Sequence, residues 1–177
     1  MPSDQTTLAS DGAPDESLLP PRNACGVALC GTCTPASACR LGVLSERLED
    51  DGSAVFSVVC PADQEGGPGV AHGGWTASVL DECLGHLPLL RGTTTVTAEL
   101  TVSYVKPVSV GAPLEVRAWL DKQEGSRWFL RGELALLPGG APLARASGIW
   151  VARDRSHFTR HQRWMAEQHE QQTNGEA

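Results

Sequence analysis

The sequence predicts an α+β domain in which one buried helix lies against a single curved antiparallel sheet. Helical spacing of apolar residues is convincing in only one stretch, residues 74–87. Segments with strand-like patterns occur twice before this stretch and four times after it. The short links between most of them favour antiparallel pairing. One helix packed on about six such strands forms a two-layer α+β architecture.

Length and composition indicate one domain with a core of its own. Of the 177 residues, 41% are hydrophobic and 20% are charged, which is ordinary for a globular protein. The formal net charge of −7 argues against a nucleic-acid partner, because phosphate contacts need clustered Lys and Arg. No apolar run approaches the roughly 18 residues that a membrane span requires. The first twenty residues have no apolar signal segment, so we expect no membrane partner and a cytoplasmic location.

Turn-forming residues and the alternation of apolar and polar residues predict the elements before the helix. Residues 1–24 are rich in Ser, Asp and Pro and are predicted to form a disordered tail, followed by an irregular Cys-containing loop over 25–39. The segments 40–49 and 53–60 flank a "DDG" turn and are typical of a β-hairpin. A Gly- and Pro-rich loop then leads to the helix.

The helix itself should be mostly buried. One apolar row has spacings of three and four, and a second row lies beside it; the two rows comprise Ala77, Leu80, Leu84 and Leu87, and Val79 and Cys83. Pro88 has no N–H and clashes with the preceding turn, so we expect it to end or kink the helix near Leu87.

Four long β segments follow the helix. The first, 93–105, has apolar residues at its even positions, which predicts one buried face formed by Val96, Ala98, Leu100, Val102 and Tyr104. Three more strands are predicted over 114–123, 127–137 and 142–153. They complete a domain spanning 40–155, and the C-terminal tail, 156–177, is predicted to be partly helical.

The six cysteines admit two interpretations. Four of them lie within fifteen residues, and two of these form a C-x-x-C pair: Cys25, Cys30, Cys33 and Cys39. They would form either a tetrahedral thiolate metal site or a set of small apolar side chains packed under the sheet. We favour packing, because the second pair lacks the spacing of metal ligands. No metal and no cofactor are therefore predicted.

Asp81 stands out because a carboxylate lies in the middle of a helix that otherwise has the pattern of a core segment. A buried carboxylate is costly unless it is paired or kept for chemistry. Its helical neighbours Ala77, Ser78 and Gly85 are all small, which leaves space beside the acid for a substrate. Glu82 points about 100° away around the helix and is predicted to be an ordinary surface or salt-bridge acid.

The sequence resembles the hot-dog-fold acyl-CoA thioesterases, and in particular the PaaI-type branch of the 4-hydroxybenzoyl-CoA thioesterase superfamily. The resemblance covers roughly residues 40–153. It is carried by a His-Gly-Gly sequence that opens the helix, an acid nine positions after that histidine, and a later T-A-x-L…Y-x-K-P strand. The matching stretches are "EGGPGVAHGG" (65–74), "VLDECLG" (79–85), "TAELTVSYVKPVSVG" (97–111) and "ARASGIWV" (144–151).

The resemblance implies a hydrolytic site at the start of the helix. The first N–H groups of a helix lack intrahelical partners and lie at the positive end of its dipole. The amides of Gly73 and Gly74 would therefore stabilise the oxyanion of an attacked thioester, and the lack of side chains would let the carbonyl approach. Asp81 would act as general base or nucleophile, and burial would raise its pKa. His72 would orient the glycine turn.

Three further residues carry roles that the resemblance implies. Thr97 matches a Ser or Thr that holds water or substrate, although simple alternation puts it on the face opposite Val96 and Ala98. It serves only if a bulge turns it, or if that face lines the partner subunit's site. Glu65 stands where many relatives have Gln or Asn beside the substrate. Lys106 matches a basic position near the CoA arm.

The resemblance also implies an acyl-CoA substrate and a homodimer, with dimers of dimers as a further level. In this family the glycine turn of one subunit faces the acid of the other. The alternative function is a non-catalytic hot-dog protein that binds acyl-CoA or an acylated carrier protein, since fold alone does not establish chemistry. A hot-dog hydratase is disfavoured, because the D-x-N-P-x-H pattern of that branch is missing.

Overall fold

A long helix lies on one face of a six-stranded antiparallel sheet in the computed structural model, which describes residues 21–30 and 33–175. Most of the predicted N-terminal tail thus lies outside the described residues. The strands are β1 (Val43–Leu48), β2 (Ala54–Val59), β3 (Glu65–Gly67), β4 (Val70–Ala71), β5 (Thr95–Tyr104), β6 (Pro113–Glu124), β7 (Arg127–Leu136) and β8 (Pro142–Ala152), and the helices are α1 (Gly73–Leu90) and α2 (Arg155–Gly175).

The main sheet has the order β1-β2-β6-β7-β8-β5 and every pairing in it is antiparallel. This confirms the predicted α+β architecture with about six strands. The short strands β3 and β4 form a separate two-stranded sheet. That small sheet is tied to the loop before β6, because the N–H of Ala71 donates to the carbonyl of Val108 at 2.8 Å. It holds the chain in place just before α1 begins.

Helix α1 approaches the sheet most closely over a row of small residues. Ala118, Gly132 and Ala146 are cross-strand partners on β6, β7 and β8. A Cβ on Gly132 would lie 2.4 Å from Cδ1 of Leu84, so a larger residue there would push the helix off the sheet. The apolar rows predicted for the helix are buried, with Leu80, Cys83 and Leu84 among the residues that have no exposed surface.

Pro88 does not end the helix, contrary to the sequence prediction. Helix α1 runs through it to Leu90. Because Pro88 stands in the last turn, its missing N–H leaves only the carbonyl of Leu84 without a helical donor. The helix ends two residues later, at Leu90. Beyond it Gly92 takes a φ of +76°, and the N–H groups of Arg91 and Thr93 donate to the carbonyl of Pro88.

Strand β5 departs from simple alternation at one residue. Thr97 pairs with Trp150 and Glu99 pairs with Ile149, so Ala98 is an extra residue that forms a β-bulge. The prediction of a buried Ala98 is therefore wrong, since this residue is exposed, and the prediction of a buried Tyr104 at the end of the strand is wrong as well. The bulge reverses which side chains share a face, and it turns Thr97 toward α1.

The C-terminal helix α2 (Arg155–Gly175) is longer than the helical segment predicted for the tail. No helix in the described part of the chain is both long and apolar enough to cross a membrane. In the N-terminal loop, Cys39 is buried in the core, and Cys25 and Cys33 pack against it. The sulfur atoms of Cys30 and Cys33 are 3.5 Å apart.

Candidate active site

His72 caps the N-terminus of α1, and its side chain accepts a hydrogen bond from one of the two glycine amides. Its backbone is extended (φ −61°, ψ 137°), and its Nδ1 accepts a hydrogen bond of 2.9 Å from the N–H of Gly74. The carbonyl of His72 accepts from the N–H of Thr76 at 3.1 Å. The side chain thus satisfies a helix-terminal donor, as N-cap residues do. Among the described residues the amide of Gly73 has no such partner, and this residue is exposed. Gly73 is therefore the better placed of the two predicted oxyanion donors.

The small β3–β4 sheet and the residue before it contact the backbone of His72. The N–H of His72 donates to the carbonyl of Gln64 at 2.8 Å. A Cβ on Gly66 would lie 2.6 Å from Cα of His72, so only glycine fits against the turn at that position. The carboxylate of Glu65 accepts from the N–H of Gly69 through Oε1. Glu65 therefore closes the turn between β3 and β4.

Tyr104, at the end of β5, contacts the same helix start. Its hydroxyl donates to the carbonyl of Gly73 at 2.9 Å. Its ring carbons lie 3.6–3.7 Å from the point where a Cβ of Gly73 would stand. Sequence analysis assigned Tyr104 no role in the site, because its even spacing along β5 marked it only as one more apolar residue of the buried face. Its exposed ring, at 58%, is a feature that alternation does not show.

An open groove lies beside the helix start. It is lined by residues of β4, the start of α1 and the loop after β5, including Val70, Gly73, Thr76, Tyr104, Lys106 and Val108. The groove is mostly apolar, and the exposed Lys106 is its charged residue. An extended chain with an anionic end fits such a surface, because apolar walls take the chain while the ammonium group meets the charge.

Asp81 lies in the middle of α1 and faces the edge of the sheet. Its side chain is half-buried, and Oδ1 accepts a hydrogen bond of 2.8 Å from Oγ1 of Thr97. Burial raises the pKa of the Asp81 carboxyl, the hydrogen bond from Thr97 lowers it, and the charge of Glu82 raises it, with a net upward shift. The sequence analysis required a bulge to turn Thr97 toward Asp81, and the bulge at Ala98 does this. A carboxylate with a raised pKa is a stronger base than an ordinary aspartate.

Glu82 belongs to a buried charged cluster beneath the site. Its Oε1 lies 3.1 Å from Nε2 of His86, and Nδ1 of His86 lies 2.7 Å from Oε2 of Glu46. Glu46 has no exposed side-chain surface and also accepts from Arg22 at 2.7 Å and from the N–H of Ala28. We name Glu46, Glu82 and His86 the buried ion cluster, and Arg22 lies at its exposed end. The cluster fastens the segment 21–28 to the domain.

Hydrogen bonds and charges between the members of the buried ion cluster shift the pKa of each of them. Burial lowers the pKa of His86, but its hydrogen bonds to Glu46 and Glu82 outweigh that effect and raise the pKa to about 9. Burial raises the pKa of both carboxyls, while the hydrogen bond and charge of His86 bring each below its usual value. The predicted salt-bridge role of Glu82 is thus seen in the structure, although its partner is a buried histidine and its own side chain is only 20% exposed.

The predicted site residues fall into two groups within one chain. Asp81 and Thr97 are in contact, and the residues from Glu65 to Gly74 surround the helix start. At a rise of about 1.5 Å per residue, Asp81 lies roughly 12 Å along α1 from Gly73. A carbonyl carbon and its oxygen must meet base and donor within hydrogen-bond reach. The amide and the acid of the same chain therefore do not serve one thioester.

The six-stranded sheet, the buried central helix and the His-Gly-Gly turn define this molecule as a hot-dog domain. Residues 68–140 match the family model described as the thioesterase superfamily. The acyl-coenzyme A thioesterase THEM4 of Bos taurus is 29% identical over 90 residues, which cover 51% of this chain and 37% of the bovine protein. The chain thus spans little more than a third of that relative.

Solved structures share the fold. The PaaI protein from the phenylacetic acid degradation operon of E. coli superposes with a TM-score of 0.54 at 20% identity, over 58% of this chain and 74% of that one. A hypothetical thioesterase protein from Streptococcus pneumoniae TIGR4, solved with coenzyme A, gives a TM-score of 0.56 at 17% identity, over 61% and 86% of the two chains. At these identities the likeness establishes the fold alone, and it agrees with the PaaI-type architecture that the sequence predicted.

Proposed function

We propose that this protein hydrolyses acyl-CoA thioesters to a free acid and CoA. The observation that carries the proposal is the half-buried Asp81, whose pKa is raised chiefly by burial and whose carboxylate is held by Thr97. A structural carboxylate is normally paired with a cation or left in water, whereas Asp81 is only partly exposed and makes no ion pair among the described residues. The superfamily match and the name of the bovine relative support the same chemistry.

The reaction requires a base and an oxyanion site. In the general-base form, Asp81 takes a proton from water while the water oxygen attacks the thioester carbon, and the N–H of Gly73 donates to the developing oxyanion. The C–S bond then breaks, and the sulfur of CoA leaves with a proton returned from Asp81. In the nucleophile form, the Asp81 oxygen attacks the carbon, the C–S bond breaks and CoA leaves as a thiolate that takes a proton from water. A second water then hydrolyses the mixed anhydride to the free acid and restores the Asp81 carboxylate. A raised pKa favours the first form, because it strengthens the base.

The proposed active unit is a homodimer with sites shared between subunits. Strand β5 is at the edge of the sheet and is ten residues long, so it presents free backbone N–H and C=O groups. Thr97 lies on this strand and holds Asp81, so a second copy that docks there would arrive beside the acid. An isologous interface would form two identical sites, each with the Gly73 amide of one chain and the Asp81 of the other. The dimer of dimers stays a prediction from the sequence.

Mixing two inactive variants tests the shared site. Chains carrying Asp81→Asn and chains carrying Gly73→Val should each be inactive. After joint refolding in equal amounts, half of the dimers are mixed, and each mixed dimer has one intact site, so roughly a quarter of wild-type activity should return. The Cβ position of Gly73 has only ordinary contacts, so this variant should fold. If the mixture stays inactive while sedimentation shows mixed dimers, acid and amide do not come from different chains.

The substrate class is tested directly by a panel of acyl-CoA esters. We expect the purified protein to release CoA from at least one aromatic or aliphatic ester, with free CoA quantified by HPLC. Thiol-reactive dyes should be avoided, because the six protein cysteines compete for them. Acyl esters of carrier protein and of pantetheine should be run alongside, since CoA phosphates near Lys106 would favour the CoA esters. Binding of the esters without turnover would establish the non-catalytic alternative. The cytoplasmic location stays a prediction from the sequence.

A further inference from the structure

Tyr104 and His72 are joined through a single peptide group. The carbonyl of Gly73 and the N–H of Gly74 belong to the same peptide. The hydroxyl of Tyr104 donates to that carbonyl at 2.9 Å, and that N–H donates to Nδ1 of His72 at 2.9 Å. The order is therefore Tyr104 O–H, peptide 73–74, His72 Nδ1. A hydrogen bond to the oxygen of an amide polarises it and strengthens the bond made by its N–H.

This arrangement determines the tautomer of His72. A neutral imidazole carries one N–H and one acceptor nitrogen. Since Nδ1 accepts from Gly74, the proton resides on Nε2. Among the described residues, no side chain or carbonyl accepts from that Nε2–H, and the His72 side chain is exposed. The ring lies close against the start of the helix, since a Cβ on Gly74 would stand only 2.8 Å from Nδ1, and only a glycine fits there.

We propose that Tyr104 is a positioning residue, which acts through the peptide 73–74 to hold His72 as the Nε2–H tautomer with this N–H directed at the thioester. The proposal deepens the proposed hydrolysis and rests on it for the identity of the ligand. It assigns the Gly74 amide to orienting the imidazole. The Nε2–H of His72 then takes the place of that amide as the second donor beside Gly73. A donor that is oriented before substrate binds needs no rearrangement as negative charge develops.

The geometry explains why a tyrosine stands at this position. The ring of Tyr104 lies 3.6–3.7 Å from the point where a Cβ of Gly73 would stand, and its hydroxyl donates to the carbonyl of Gly73. A phenylalanine keeps the packing and loses only the O–H donor. Tyr104→Phe therefore measures the effect of the hydrogen bond separately from the effect of the ring.

The test compares wild type with Tyr104→Phe and Tyr104→Leu by two readouts. The first is ¹⁵N NMR of the imidazole of His72, assigned by the loss of its signals in His72→Gln. We expect Nε2 to be protonated and Nδ1 unprotonated in wild type, and Tyr104→Phe to show a mixture of tautomers. The second is steady-state hydrolysis, where Tyr104→Phe should lower kcat by about two- to tenfold with little change in KM, the range that one hydrogen bond supports. Tyr104→Leu should lose the tautomer preference to at least the same extent.

Two results would overturn the assignment. One is a wild-type spectrum in which Nδ1 of His72 carries the proton. The other is a folded Tyr104→Phe variant whose His72 signals match those of wild type. Both are read without turnover, so a protein that binds acyl-CoA and hydrolyses none would defeat the proposed function while the NMR result decides the role of Tyr104. A fall in kcat for Tyr104→Phe with an unchanged tautomer would count against the proposal as well.

Discussion

Replacing Asp81 with Asn is expected to lower kcat for acyl-CoA hydrolysis by about 10²- to 10⁴-fold, the usual contribution of a general base. An amide has nearly the same shape as the carboxylate and still accepts the hydrogen bond from Thr97, but it cannot take a proton. The measurement is release of CoA by the best substrate of the panel, with circular dichroism and sedimentation to show that the variant keeps its fold and its oligomeric state. Wild-type turnover by a folded Asp81→Asn protein would remove Asp81 from the mechanism.

The dependence of kcat/KM on pH tests the proposed role of Asp81 independently. Because burial raises the pKa of Asp81, the acidic limb of kcat/KM should lie above the range of an ordinary aspartate, with activity lost as pH falls through it. Thr97→Val removes the hydrogen bond that lowers this pKa, so its limb should move to higher pH. Thr101→Val on the same strand is the matched control, because Thr101 is exposed and should leave the limb in place. An identical limb in wild type and Thr97→Val would mean that another group controls it.

Replacing His86 with Leu is expected to lower the free energy of unfolding by about 3–5 kcal/mol, the cost of breaking a buried ion pair from one side. Without His86, the fully buried carboxylate of Glu46 retains Arg22 and the amide of Ala28, while Glu82 loses its charged partner in the buried ion cluster. Urea unfolding followed by fluorescence measures the change. His161→Gln on the exposed face of α2 is the control, and it should leave the unfolding midpoint unchanged.

The buried ion cluster also predicts how stability depends on pH. The folded-state pKa of His86 is raised from 6.5 to about 9, so its stabilisation is complete below about pH 6.5 and is lost as pH rises toward 9. Glu46 and Glu82 have lowered pKa values relative to 4.5, so their contribution is present above that pH and is lost as pH falls further. Wild type should therefore lose stability between pH 6.5 and 9, and His86→Leu should lose much less over the same interval. Parallel profiles for the two proteins would show that His86 is not charged in the fold.

The same cluster places a structural residue directly beside a proposed catalytic one. Asp81 and Glu82 are adjacent in the chain, yet one faces Thr97 at the edge of the sheet and the other faces His86 under the N-terminal segment. Their pKa values move in opposite directions because only Glu82 has a cationic neighbour. Environments that separate the pKa values of two acids are how a fold assigns them different roles.

The sequence by itself determined the architecture and indicated the residues of the candidate site. Periods of 3.6 and 2 are local properties, so they placed α1, the β1–β2 hairpin and the strands after the helix within a few residues of their bounds. The carboxylate of Asp81 was found in the same way, because a charged residue interrupts an apolar helical pattern. The His-Gly-Gly turn was visible for its composition, which identifies a helix start with an open backbone.

Only the tertiary structure decided which of these groups meet. His86 and Glu46 are forty residues apart and belong to different elements, and no local pattern indicates that one buried charge has the other as its partner. The bulge at Ala98, which turns Thr97 toward Asp81, is defined by pairing with β8 rather than by the residues of β5. The hydrogen bond from Gly74 to His72 and the roughly 12 Å along α1 between Gly73 and Asp81 likewise emerge once the chain has folded. Periodicity indicates on which face of its own helix or strand a side chain lies. Hydrogen bonds and ion pairs depend on distances between elements, and these are determined by how several elements pack together.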